Sequence, residues 1–130
     1  MNCTLLSEID LPDSLTSIGN FAFSACHQIN DVVIPRGVTI IPTYCFQAAL
    51  SLTNITFLGD IEKIQSNAFY LSGGLIDVDL TNCSAVPILE STNAFVVSAA
   101  RLRIKVPAEL YDDWIAADKW SSISQYIVSA

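Results

Sequence analysis

The sequence predicts an α/β repeat fold, a right-handed solenoid of stacked coils with short parallel strands, and two observations carry that prediction. Phe23, Phe46 and Phe69 recur every 23 residues, and four apolar columns keep the same step: Ile18, Ile41 and Ile64; Ile29, Leu52 and Leu75; Val32, Ile55 and Val78; Ile34, Phe57 and Leu80. A unit of this length buries its apolar face only against neighbouring copies, so the period dictates the architecture. Within each unit, Asp31-Val32-Val33-Ile34, Asn54-Ile55-Thr56-Phe57 and Asp77-Val78-Asp79-Leu80 send every second residue inward, the pattern of a strand with one solvated face. Equivalent strands are reached by a full circuit of the chain and so lie parallel, with a right-handed connection.

The elements follow in order. Leu6, Ile9, Leu11 and Pro12 stand one period before Ile29, Val32, Ile34 and Pro35, so the first coil is present only as its second half. Pro12, Pro35 and Pro107 end strands where a missing N–H does least harm. Asn20, Thr43 and Ser66 each precede a short apolar stretch, which predicts a one-turn helix or 3₁₀ segment. In the fourth coil the phenylalanine arrives at Phe95, and Ile104 and Val106 fall 26 residues after Val78 and Leu80, which implies three inserted residues in 86–93 on a rim loop. Pro87 stands where an isoleucine is expected, Leu58 where a proline is, and the column of Cys26 drifts through Ala49, Ser72 and Ser98. From Pro107 the repeat breaks. Pro107-Ala108-Glu109 with Asp112 and Asp113 suits the positive end of a helix, and Leu110, Tyr111, Trp114 and Ile115 line one face of it. The expected division is 1–108, about four coils of 23–26 residues, and 109–130, a helical cap over the last coil.

Leu15-Thr16-Ser17-Ile18-Gly19, followed by Ala22-Phe23, Cys26, Ile29, Val32 and Ile34-Pro35, resembles the repeat of the BspA-type leucine-rich repeat family, and the resemblance covers Leu5 to Ala108. The closing stretch with Leu110, Tyr111, Trp114 and Trp120 is similar to the helical segment that ends such arrays. The resemblance implies a non-catalytic surface or secreted protein, bacterial or protozoan, acting in adhesion and protein binding. It implies no catalytic residue, cofactor or named partner.

Composition narrows the function classes. A net charge of −7 argues against nucleic acid and against anionic lipid surfaces, whose charges the chain would repel. No apolar run reaches the roughly 18 residues that span a membrane, and Asn2 to Asp13 lacks the basic start and long apolar run of a secretory signal. The chain has no nucleophile elbow and no phosphate-cradling glycine loop, and its single histidine, His27, limits acid and base roles to carboxylates. Three glycosylation triplets, at Asn2, Asn54 and Asn82, are incidental in a repeat rich in Thr and Asn.

Cys3 and Cys26 share one register column, and Cys45 shares another with Ala22, Ala68 and Ala94. Columns of small residues favour buried, reduced thiols as apolar fillers, while the spacing of Cys3 and Cys26 is compatible with a bridge between adjacent coils. With no paired-cysteine motif, zinc is not expected. Asp77, Asp79 and Asn82 carry calcium-type ligand atoms without a calcium-loop signature.

The outward strand positions form the candidate binding face. One column holds Glu8, Asp31, Asn54, Asp77 and Arg103, the other Asp10, Val33, Thr56, Asp79 and Lys105, acidic until the last coil turns basic. This face would recognise a protein or glycan; alternatively it is a solvated face on which Asp77 and Asp79 pair with Arg103 and Lys105. The strand Ser7 to Leu11 would leave an open N-terminal edge suited to self-association. Two functions are carried forward: a protein-binding or adhesion module, and a structural or assembly module of a larger particle such as a phage virion or surface layer.

Overall fold

The computed structural model describes residues 11–95 and 102–130. Parallel strands dominate it, in two sheets. The larger is ordered β1-β3-β5-β7-β8, with β1 Asp31–Ile34, β3 Asn54–Phe57, β5 Asp77–Asp79, β7 Arg103–Val106 and β8 Ile127–Ser129. The smaller is ordered β2-β4-β6, from Ile40–Ile41, Lys63–Ile64 and Ile88–Leu89. Val32 pairs with Ile55, Ile55 with Val78, and Val78 with Ile104, so the columns read in the sequence are the ladder rungs of the larger sheet.

Alternation sets the burial. Val32, Ile34, Ile55, Phe57, Val78, Ile104 and Val106 are buried, while Asp31, Val33, Asn54 and Arg103 are exposed. The phenylalanines form one file: Phe23 stacks on Phe46 at 5.3 Å between ring centroids, Phe46 on Phe69 at 5.4 Å, and Phe69 on Phe95 at 5.2 Å. Identical residues at identical register positions meet face against face, which gives the period its energetic content. Glycine is needed where repeats approach most closely. A Cβ on Gly37 would lie 2.7 Å from the Leu15 carbonyl oxygen, and one on Gly74 would lie 2.6 Å from that of Leu50.

Three expectations are corrected. The stretches after Asn20, Thr43 and Ser66 form turns, not 3₁₀ helix; only Thr92–Phe95 in the fourth repeat is 3₁₀. The cause is backbone conformation. Phe21, Tyr44 and Asn67 have φ of 61°, 57° and 61°, and Ala25, Ala48 and Leu71 have φ of 58°, 55° and 62°. Two left-handed residues per repeat interrupt any helix, and they turn N–H groups toward the next repeat: Phe21 donates to Thr43 O, Ala25 to Gln47 O, and Ala48 to Tyr70 O.

The second correction concerns the insertion. Thr56 pairs with Asp79 at the usual step of 23, but Lys63 pairs with Ile88 and Ile64 with Leu89, a step of 25. Two of the three extra residues therefore lie between Asp79 and Ile88, and the third lies between Leu89 and Phe95. Leu89, not Pro87, fills the isoleucine column, and it is buried.

The third concerns the C-terminal segment, which is more than helix. A 3₁₀ turn at Ala108–Leu110 leads into α1, Tyr111–Ala116, then a kinked 3₁₀ stretch, Trp120–Tyr126, and finally β8. Ile127 pairs with Ile104 and Ser129 with Val106, again a step of 23. Trp120 meets Phe95 at 6.1 Å and extends the aromatic file, while Trp114 packs edge-on against it at 5.5 Å. The Trp120 indole N–H donates to Pro87 O at 2.8 Å, tying the segment to the inserted loop.

Candidate functional site

The larger sheet aligns the outward residues as the register requires. Asp31, Asn54, Asp77 and Arg103 occupy one line of partners, and Val33, Thr56, Asp79 and Lys105 the other. Glu8 and Asp10 lie outside the described residues, as does all of the strand expected at Ser7 to Leu11 except Leu11 itself.

Local hydrogen bonds hold the acidic end of this face. Asn54 Nδ2 donates to Asp31 Oδ1 at 2.7 Å, and the Thr81 N–H and hydroxyl both donate to Asp79 Oδ1, at 2.9 and 2.6 Å. Of the expected pairing of Asp77 and Asp79 with Arg103 and Lys105, one ion pair forms, and it does not run straight across the register. Lys105 Nζ instead reaches diagonally to Asp77 Oδ1 at 3.6 Å, a loose pair open to solvent. The reason is that Asp79 is turned back onto its own strand end by Thr81.

Beyond Lys105 the second line ends at Val128 on β8. Ile76, Asp77, Leu102, Arg103, Gln125, Tyr126 and Val128 border an open depression of about 560 Å³ where β5, β7 and β8 begin. Gln125, Tyr126 and Val128 were not among the expected face residues. Their signal lay in the period, since they stand 23 positions after Leu102, Arg103 and Lys105.

The opposite, turn-bearing side is also exposed. Phe21 stacks on Tyr44 at 4.9 Å, and Tyr44 meets Tyr70 edge-on at 6.4 Å. Phe21, Leu50 and Leu71 are each about half exposed there, at 45%, 54% and 50%.

The cysteines divide. Cys45 and Cys83 are free and buried. Burial pushes the Cys45 thiol up to about 12, against a weaker pull from its bond with the Phe23 backbone, and burial raises Cys83 as well. Neither is poised as a nucleophile. Cys26 differs from the reduced-thiol expectation: it is disulfide-bonded, with its partner outside the described residues. Asp60 is held below the ordinary carboxylate range by the N–H and hydroxyl of Ser84, a bond between repeats. Among the described residues, no group of His, Cys, Asp and Glu is arranged to hold a metal ion, and no helix is long and apolar enough to cross a membrane.

Repeats of 23 residues, parallel ladders and a phenylalanine file define a leucine-rich repeat protein. The model of the BspA type leucine rich repeat region matches residues 1–98 in six copies, so the chain belongs to that family. No curated protein matches the chain. Membership makes it a protein-binding type of repeat, in a family that is generally non-catalytic and surface-associated.

Proposed function

We propose that the chain is a right-handed solenoid, 1–108, closed by its segment 109–130, and that it serves as a non-catalytic adhesion or protein-binding module outside the cytosol. The observation that carries this reading is the outward face of the larger sheet, where two lines of side chains, polar or charged except for Val33, run in register across four strands. Such a face is rigid because β3, β5 and β7 are each paired on both sides, and rigid display lowers the ordering cost of binding. The disulfide at Cys26 supports an oxidising location, since thiols stay reduced in the cytosol. The ligand is a protein or glycan that reaches Asp31, Val33, Asn54, Thr56, Asp77, Asp79, Arg103 and Lys105.

The test is binding of the purified chain to arrays of extracellular proteins and glycans, beside a variant carrying Val33→Arg and Thr56→Arg. One partner bound by the parent and lost by the variant is the expected result. Binding that survives both substitutions would move the site off this sheet. Copies that join end to end while binding nothing on the arrays would favour the assembly role instead.

A further inference from the structure

Along the stack, polar side chains are matched from one repeat to the next. Asn54 donates to Asp31, the Thr43 N–H to Gln65, Ser66 to Glu90, and Ser84 to Asp60. Arg103 departs from this pattern. Its strand neighbour Asp77 is engaged by Lys105, and among the described residues no carboxylate lies within ion-pair distance of its guanidinium. On its other side stand Tyr126, at the end of the 3₁₀ stretch, and Val128 of β8, neither of them acidic.

This exposed guanidinium borders the depression at the start of β5, β7 and β8. Asp77, Gln125 and Tyr126 stand on the same border, with the half-buried Ile76 and Val128 beside them. The volume, about 560 Å³, falls in the range of pockets that take a small ligand or a few residues of peptide. Arg103 also stands in the densest run of positive charge in the sequence. Of six basic residues in a chain with 13 acidic ones, Arg101, Arg103 and Lys105 fall within five positions.

We propose that this depression is a carboxylate-binding site, in which Arg103 receives the side-chain carboxylate of an acidic segment of a protein partner. The planar guanidinium fork matches a carboxylate with two parallel N–H···O bonds. Asp77 and Asp79, on the adjoining strand, disfavour a doubly charged phosphate but tolerate a single charge placed on the β8 side of Arg103. An apolar residue next to the acid packs on the half-buried Ile76 and Val128. The inference rests on the protein-binding reading and gives it a location and a ligand chemistry.

The probe is a terminally blocked tetrapeptide alternating leucine and glutamate, compared with its leucine–glutamine counterpart, titrated into the ¹⁵N-labelled chain. The glutamate peptide should produce saturable shifts in the amides of Leu102, Arg103, Tyr126 and Val128. Arg103→Gln should weaken it by about tenfold, Arg103→Lys by less, and the glutamine peptide should leave those amides in place. Equal response to the two peptides, shifts centred elsewhere, or unchanged affinity in Arg103→Gln would each overturn the site. Because Arg103 is exposed, unchanged melting of both variants separates lost binding from lost folding. A protein partner captured equally by the parent and Arg103→Gln would remove the carboxylate site while leaving the protein-binding reading intact.

Discussion

Between Asp31 and Leu80 the stack repeats itself residue for residue, whereas from Arg103 to Ala130 it continues the same columns with different residues. In the middle, Phe46 lies on Phe69 with rings only 3° from parallel. At the end, Trp120 continues the file at a tilt of 41°, and Trp114 closes it edge-on. The difference shows that a repeat's geometry persists after its sequence motif has stopped. What persists is the ladder: once β7 is in place, its free N–H and C=O groups specify where the next strand pairs, and β8 takes that position with only Ile127 buried.

The largest effect tests whether the two ends of the file are equally integral. Phe46→Ala and Trp120→Ala should each cost about 3–5 kcal/mol, because both residues are fully buried against ring neighbours on either side. Urea unfolding followed by circular dichroism would show it. A Trp120→Ala variant as stable as the parent would mean that the C-terminal segment lies on the stack without holding it.

Alkaline pH probes a buried group of the middle, the Cys45 thiol, which has no counterpart among the residues of 102–130. With the buried Cys45 thiol pushed from 9.0 to about 12, the unfolded chain ionises first. The stability contributed by the neutral thiol is therefore complete below pH 9 and is lost as pH rises toward 12, by about 1.4 kcal/mol per unit. Cys45→Ala copies the residue found in the same column at Ala68, and it should remove that part of the slope. Parallel pH profiles for the parent and Cys45→Ala would show that Cys45 is solvated.

A finer contrast separates the two tryptophans. Trp120 donates its N–H to Pro87 O, whereas the buried Trp114 N–H has no partner among the described residues. Trp120→Phe should therefore cost about 1–3 kcal/mol more than Trp114→Phe, because it leaves the Pro87 carbonyl unmatched. Equal costs would mean that the bond to the inserted loop contributes nothing.

Much of this was legible in the sequence because the period is a packing constraint. The columns of Val32 and Ile34 must face inward in every repeat, and so their burial and the alignment of Asp31, Asn54, Asp77 and Arg103 followed from spacing alone. The turns were not legible. Phe21, Tyr44, Ala48 and Leu71 carry none of the Gly or Asn preference that marks a left-handed residue, and only Asn67 does. Strands β2, β4 and β6 were missed because two residues are too few to show alternation. The depression beside Arg103 was missed because Gln125 and Tyr126 share no residue type with Leu102 and Arg103, so the step of 23 had nothing visible to repeat. Side chains that pair diagonally, as Lys105 does with Asp77, depend on which acceptors are already engaged, and strand spacing does not encode that.

The smallest expected effect comes from the turns, where the middle of the stack differs most from its C-terminal end. Each of the two middle repeats carries two left-handed non-glycine residues, and from Leu102 onward only Lys119 has a positive φ. A Cβ-bearing residue in that region costs on the order of 1–2 kcal/mol, and asparagine tolerates it best. At Asn67 the sequence already uses that tolerance, and at Leu71 it does not, although Leu71 is half exposed and gains little from burial. Leu71→Asn should therefore raise stability by roughly 0.5–1 kcal/mol, read as a rise of a few degrees in melting temperature. A fall instead would show that Leu71 contributes packing to the exposed side of the turns worth more than its backbone strain.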